Sequence, residues 1–306
     1  ARRQRQMCIR DRYSVDLLAA INGSPTQGFG YTTLMTNNGK MVNRGVEITL
    51  SGEIIRQKDF SWNASLLYAF NRNKVKHISV QPSLWDSRIS MPTSYPMVGK
   101  PLYGIYAYKW AGLNENGDPQ VYDAENNVTS GPARDYHALV YCGTTVPIHN
   151  ASLTNVLRYK GFEFSAMLIL DAGHKLRSSN IPSINMSNGR ITSTAKGIVD
   201  RWTQPGDVTD VPRLLFSNDT ENFNTHRTEL YRYSDLFVYD ASNIRLSNIS
   251  LAYRVPAHWC KKISLSGARL QFNVENVATF AFDSKANYDL GGKVKPNYVW
   301  GLYLNF

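Results

Sequence analysis

The side chains able to do chemistry are few and far apart. Three cysteines, Cys8, Cys142 and Cys260, form no CxxC pair, and an odd count gives no complete disulfide framework. Six histidines (His77, His137, His149, His174, His226 and His258) contain neither an HxH nor an HxxxH spacing, so no pair of imidazoles is aimed at one metal. Asp207 and Asp210 are close in sequence, but acids in a polar loop are usually solvated rather than paired for proton transfer. There is no nucleophile elbow and no phosphate loop. These residues argue against an enzyme, mark no metal site and imply no cofactor. What stands out is aromatic: 18 Tyr, 12 Phe and 6 Trp. A ring with an apolar body and a polar edge suits a membrane interface or a sugar-binding surface. Trp85, Tyr95, Trp202, Phe216 and Phe223 lie in long connecting segments. There they are candidates for contact with a ligand or a covering partner, the alternative being that they pack within their own loops.

The elements that must carry these loops are strands. In the last nine residues, Tyr298, Trp300, Leu302, Leu304 and Phe306 share one parity and are all apolar, while Val299, Gly301, Tyr303 and Asn305 are mixed. Side chains alternate faces along a strand, so this is a strand with one strongly apolar face. An apolar, aromatic-ended C-terminal strand is what closes a transmembrane barrel, and is the expected element for engagement by barrel-assembly machinery; an edge strand of a secreted β-sandwich is the alternative. The same period-2 pattern runs through Val46, Ile48 and Leu50, through Trp62, Ala64, Leu66, Tyr68 and Phe70, and through Phe162, Phe164, Ala166, Leu168 and Leu170. A third pair runs over 241–253 and 266–276, the first strand ending at Pro256, which lacks a ladder donor. Residues 13–20 are consistent with a strand or a short helix, Asn37-Asn38-Gly39 reads as a turn, and a short helix is expected near 194–202.

Joins of contrasting length separate these strands. Those at 56–59, 159–161 and 255–265 are short; those at 71–101, 171–240 and 277–295 are long. Long connections are unusual in a compact sandwich, whereas a membrane barrel has long loops on one side and short turns on the other. Residues 102–145 must then add zero strands to the wall or an even number. The expected fold is all-β: the C-terminal part of a large antiparallel transmembrane β-barrel with long external loops. Seven open strands leave two unpaired edges, so residues 13–306 alone are not expected to be a stable membrane protein.

Composition agrees. No apolar run approaches the roughly 18 residues of a membrane helix, and charged residues are 19%. The net charge of +10 is scattered rather than clustered with aromatics, which argues against nucleic acid. Residues 1–12 hold five arginines and one aspartate. Met7 to Arg12 resembles the translation of a sequencing adapter, so 1–12 is set apart as an artefact from 13–306.

Several segments, in order, resemble the SusC/RagA-type TonB-dependent outer-membrane transporters of Bacteroidetes. They are Asn43-Arg44-Gly45-Val46-Glu47, Val98-Gly99-Lys100-Pro101, Tyr159-Lys160-Gly161-Phe162, Arg201-Trp202-Thr203-Gln204-Pro205-Gly206-Asp207 with Pro212-Arg213, Asp240-Ala241-Ser242-Asn243-Ile244-Arg245-Leu246, and the closing Gly301 to Phe306. The family's D-P-E element is degraded here to Asp283-Ser284-Lys285. The resemblance implies a plugged barrel of roughly 22 strands, of which this chain holds the C-terminal third to half, without the plug. It further implies import of oligosaccharides or peptides, a SusD-like surface lipoprotein as lid, and energy from a TonB–ExbB–ExbD complex acting on the plug. A secreted β-rich carbohydrate-binding module is the alternative; it would show loops of similar length at both ends and a polar outer face.

Overall fold

The computed structural model describes residues 4–22, 33–78, 87–131, 135–182, 184–187, 190–214, 227–262, 264–290 and 295–306. Its main element is an eight-stranded antiparallel sheet. The strands are β1 (Gln4–Asn22), β2 (Thr33–Arg56), β3 (Phe60–Ile78), β4 (His149–Tyr159), β5 (Phe162–Ala172), β6 (Asn243–Arg254), β7 (Gly267–Ala281) and β8 (Asn297–Asn305), each paired with its neighbours in chain order. The joins alternate as expected. The β4–β5 turn is Lys160-Gly161 alone, with both residues at positive φ (45° and 94°), the geometry that matches the twist of a tight hairpin.

Register turns each strand's alternation into rows across the sheet. Trp62, Leu157, Phe164, Leu251, Phe272 and Trp300 stand side by side on one face. Below them run Phe60, Tyr159, Phe162, Tyr253, Leu270 and Leu302; above them, Leu66, Leu153, Leu168, Leu246 and Ala278. The opposite face carries Ser51, Ser65, Thr154, Met167, Asn248, Glu275 and Asn297 in one row. On the apolar face Asn155 is polar, and its side-chain oxygen accepts the indole N–H of Trp62 at 3.1 Å. The apolar face is uncovered: Trp300 is 78% and Leu251 46% exposed. A contiguous apolar surface of this extent is tolerable against lipid and not against water. From Phe60 to Phe70, ten residues at ~3.3 Å each span ~33 Å of strand, and a tilt of about 40° reduces that to ~25 Å, the height of a barrel's apolar band.

The structure departs from the sequence reading at several places and settles others that it left open. β2 runs straight through Asn37-Asn38-Gly39; the turn-forming tendency there is absorbed as a register shift against Leu17 on β1. β1 takes in both 13–20, which is strand and not helix, and Gln4–Arg12, paired with Asn43–Ser51. β3 continues eight residues past Phe70 to Ile78, and β7 continues past Asn276, which sits at φ 53° where register shifts between Leu246 and Asn248. On β6 the shift moves the apolar set from Ile249 and Leu251 to Leu246 and Ile244, which pair with Ala278 and Phe280. Residues 102–145 add no strand to the large sheet. They form two small sheets, Gly104–Tyr108 with Leu139–Thr144, and Trp110–Leu113 with Pro119–Tyr122 and Val128–Thr129. Ile105, Tyr106, Ala107 and Tyr108 are buried on both faces. Near 194–202 the helical element is a 3-10 turn, Lys196–Asp200, after a small hairpin.

Candidate functional site

Two of the long connections at the open end of the sheet, β3–β4 and β5–β6, pack into one block. Its core is Tyr106, Tyr108, Val121, Ala138, Leu139 and Leu230, drawn from the β3–β4 connection and the β5–β6 connection together. Arg177, from the second connection, donates to the carbonyls of Tyr106, Arg232 and Ser234, at 2.7, 3.3 and 3.3 Å. Burial draws that guanidinium below its usual pKa, and it holds three backbone carbonyls from two segments of the block together.

The strongest tie is Asp118. Its carboxylate accepts from Arg227 Nε at 2.6 Å and from Arg213 Nε at 3.2 Å, with the three side chains only 11–19% exposed. Arg227 also donates to the carbonyls of Gly117 and Arg213, at 3.3 and 2.6 Å. Asn114 Oδ1 shapes the turn by accepting from the backbone N–H groups of Asn116 and Asp118.

The Arg201–Asp207 motif closes onto the same turn. Asp207 accepts from the Thr203 N–H, the Thr203 hydroxyl and the Gln204 N–H at 2.8, 2.8 and 3.1 Å, and these bonds hold its pKa below the usual carboxylate value. The Trp202 ring is thereby set against Gly117, at φ +73°, where a Cβ would overlap the indole.

The candidate residues distribute unevenly. Trp202 is half-buried against Gly117, and Tyr95 is half-buried with its N–H on the Met91 carbonyl at 3.1 Å. The two are in separate parts of the block. Trp85, Phe216 and Phe223 lie outside the described residues. Tyr298, Trp300, Leu302 and Leu304 line the apolar face of β8, and Phe306 follows it, 92% exposed. Beneath the block, a cleft of about 490 Å³ is lined by Ile89, Tyr106, His174, Arg177 and Leu290 among others. His174 is 9% exposed; burial lowers its pKa, and Nδ1 has no hydrogen-bond partner among the described residues. The Asp118–Arg227 pair and His174 carried no motif of their own.

No family model matches the chain. It is 24% identical over 294 residues to TonB-dependent receptor P3 of Formosa agariphila, covering 89% of this chain and 28% of that protein. It is 22% identical over 263 residues to TonB-dependent receptor SusC of Bacteroides thetaiotaomicron, covering 81% and 24%. The chain thus spans about a quarter of the length of these relatives. Among solved structures, that of the RagAB peptide transporter superposes with a TM-score of 0.73 at 21% identity, covering all of this chain and 34% of that one.

Proposed function

We propose that this chain, which is similar in sequence and fold to TonB-dependent receptors including SusC and RagA, belongs to the SusC/RagA-type receptors of the outer membrane and is the C-terminal barrel portion of an importer of oligosaccharides or peptides. The observation that carries the reading is the two-faced sheet: apolar rows outside, Ser, Thr and Asn rows inside, with one end of the strands closed by short turns and the other built into a folded block. A secreted carbohydrate-binding module would need a polar outer face and loops of similar length at both ends, and neither is present. In this reading the block forms part of the external mouth, where Tyr95, Trp202, Trp85, Phe216 and Phe223 are the candidates to meet cargo or a SusD-like lipoprotein lid. The importer has no catalytic step of its own. Energy comes from a TonB–ExbB–ExbD complex through a plug, and insertion through barrel-assembly machinery acting on β8. We further propose that 13–306 is receptor sequence and 1–12 adapter-derived, which the nucleotide sequence of the locus tests.

Uptake tests the function. Cells carrying the whole receptor should accumulate labelled oligosaccharides or peptides too large for a general porin. A deletion strain should lose that uptake, and collapse of the proton gradient should abolish it in the parent. Uptake that persists without the receptor, or that continues without the gradient, overturns the reading.

A further inference from the structure

A second cleft, of about 380 Å³, opens beside the outer end of β3, and its charge is one-sided. Arg72, Lys74 and Lys100 line it with Tyr141, and among the described residues no acidic side chain does. Arg72 and Lys74 are exposed and keep the parity of Phe70, the ring that ends the apolar row on β3; they stand two and four residues beyond it. At ~3.3 Å per residue that is roughly 7 and 13 Å farther along the strand. Phe70 and His149, with ring centroids 5.3 Å apart, mark the upper edge of the apolar band. The two cations therefore stand at the height of lipid headgroups.

Lys100 is delivered to the same place by backbone bonds. The Gly99 N–H donates to the Val75 carbonyl at 2.8 Å, the Val75 N–H to the Lys100 carbonyl at 2.9 Å, and the Leu102 N–H to Asn73 Oδ1 at 2.8 Å. The chain turns back at Gly99, φ +86°. The Lys100 ammonium then lies 4.8 Å from the Tyr141 ring centroid. Arg44 is beside Arg72 in register on β2, with Asp11 next in that row on β1.

We propose that this cleft binds the phosphate-bearing headgroup of an outer-leaflet lipid. Three cations collected in one cleft without an anion repel one another, and a phosphate at this height neutralises them. Arg72 offers paired N–H donors, while Lys74 and Lys100 act as point charges. The inference rests on the outer-membrane placement of the barrel and is independent of the cargo.

The test uses the whole receptor in lipid nanodiscs and native mass spectrometry, with bis-phosphorylated lipid A and its dephosphorylated form as probes. Wild type should retain the phosphorylated form preferentially. Arg72→Gln, Lys74→Gln and Lys100→Gln combined should weaken retention about a hundredfold, at roughly one kcal/mol per cation near an anionic surface. Lys109→Gln with Lys285→Gln, cations elsewhere among the connections at that end, should leave retention within about threefold of wild type, well below the loss expected from a headgroup contact. Equal retention of both lipids by wild type overturns the proposal, and so does unchanged retention by the triple variant. Displacement of the lipid by a soluble oligogalacturonate would assign the cleft to cargo and also overturn it. If the triple variant does not assemble, the comparison of the two lipids on wild type decides alone. A receptor that fails this test but still imports leaves the transport reading intact.

Discussion

Replacing Asp118 by asparagine keeps the shape of the turn and removes the anion between Arg213 and Arg227. Removing one partner of a buried ion pair costs about 3–5 kcal/mol because the remaining charge is left without compensation. These side chains keep 11–19% of their exposure, so the lower end applies, about 3 kcal/mol, a shift of roughly a hundredfold in the opening equilibrium of the block. Native-state hydrogen exchange on the whole receptor reads this directly. The Arg213 N–H, which donates to the Gly117 carbonyl at 3.1 Å, and the Trp202 N–H, which donates to the Val211 carbonyl at 2.9 Å, should exchange roughly a hundredfold faster. Amides of β4 and β5 should not change, since the wall is held by its own ladder. A triple change, Asp118→Leu, Arg213→Met and Arg227→Met, removes all three charges together and should recover most of the protection. Acceleration of less than about threefold at Arg213 and Trp202, against the hundredfold expected of an uncompensated charge, would refute the reasoning. So would equal acceleration across β4 and β5, which would mean that block and wall open as one unit.

Gly117→Ala introduces a Cβ into the Trp202 ring at a positive φ and should loosen 201–213 to protease, whereas Gly206→Ala, at φ +98° with open space around it, should cost only about 1 kcal/mol of backbone strain; equal effects would contradict the packing described. Leu168→Arg, in the middle of the apolar band, should lower refolding stability in lipid by about 2–4 kcal/mol, and Phe162→Arg at the short-turn edge by about 1 or less; a urea titration in vesicles separates them, and reversal of the order would move the band. The Asp207 carboxyl, depressed below 3.8 by the bonds from Thr203 and Gln204, contributes stability above the unfolded value that is lost only as pH falls through the folded one; a carbon-detected titration with a midpoint at or above 3.8 would contradict this. Burial pushes the Cys142 thiol up to about 11, so alkylation at pH 8 should be slow and rise only well above pH 9. Rapid labelling at pH 8 by a small maleimide would show that the ladder of Leu139–Thr144 opens freely.

Where the chain crosses the apolar band, the sequence was readable, because one face must be apolar and the other need not be. Trp62 to Phe70 and Tyr298 to Leu304 announce themselves by parity alone. Beyond the band both faces of a strand meet water or loop, and the signal disappears. That is why β3 was read as ending at Phe70 although it runs to Ile78, and why β7 was cut at Asn276. The block was legible only in fragments. Asp207 is satisfied within four residues, so its motif shows locally. Trp202 finds Gly117, and Arg227 finds Asp118, across separations of 85 and 109 residues, and no local pattern encodes a partner that far away.

The tie between the two long connections has a mechanical consequence. Segments that could otherwise swing separately share one core and one doubly clamped carboxylate, so the number of independent motions at that end of the wall is reduced. The block meets the strands through backbone bonds at Asn71 on Ile148, at Ile148 on Ala172, and at Val75, which is bonded to Gly99 and Lys100. A force applied anywhere on the block is carried as a whole to those few backbone bonds, which then act as pivots, and displacement of one connection is displacement of the other.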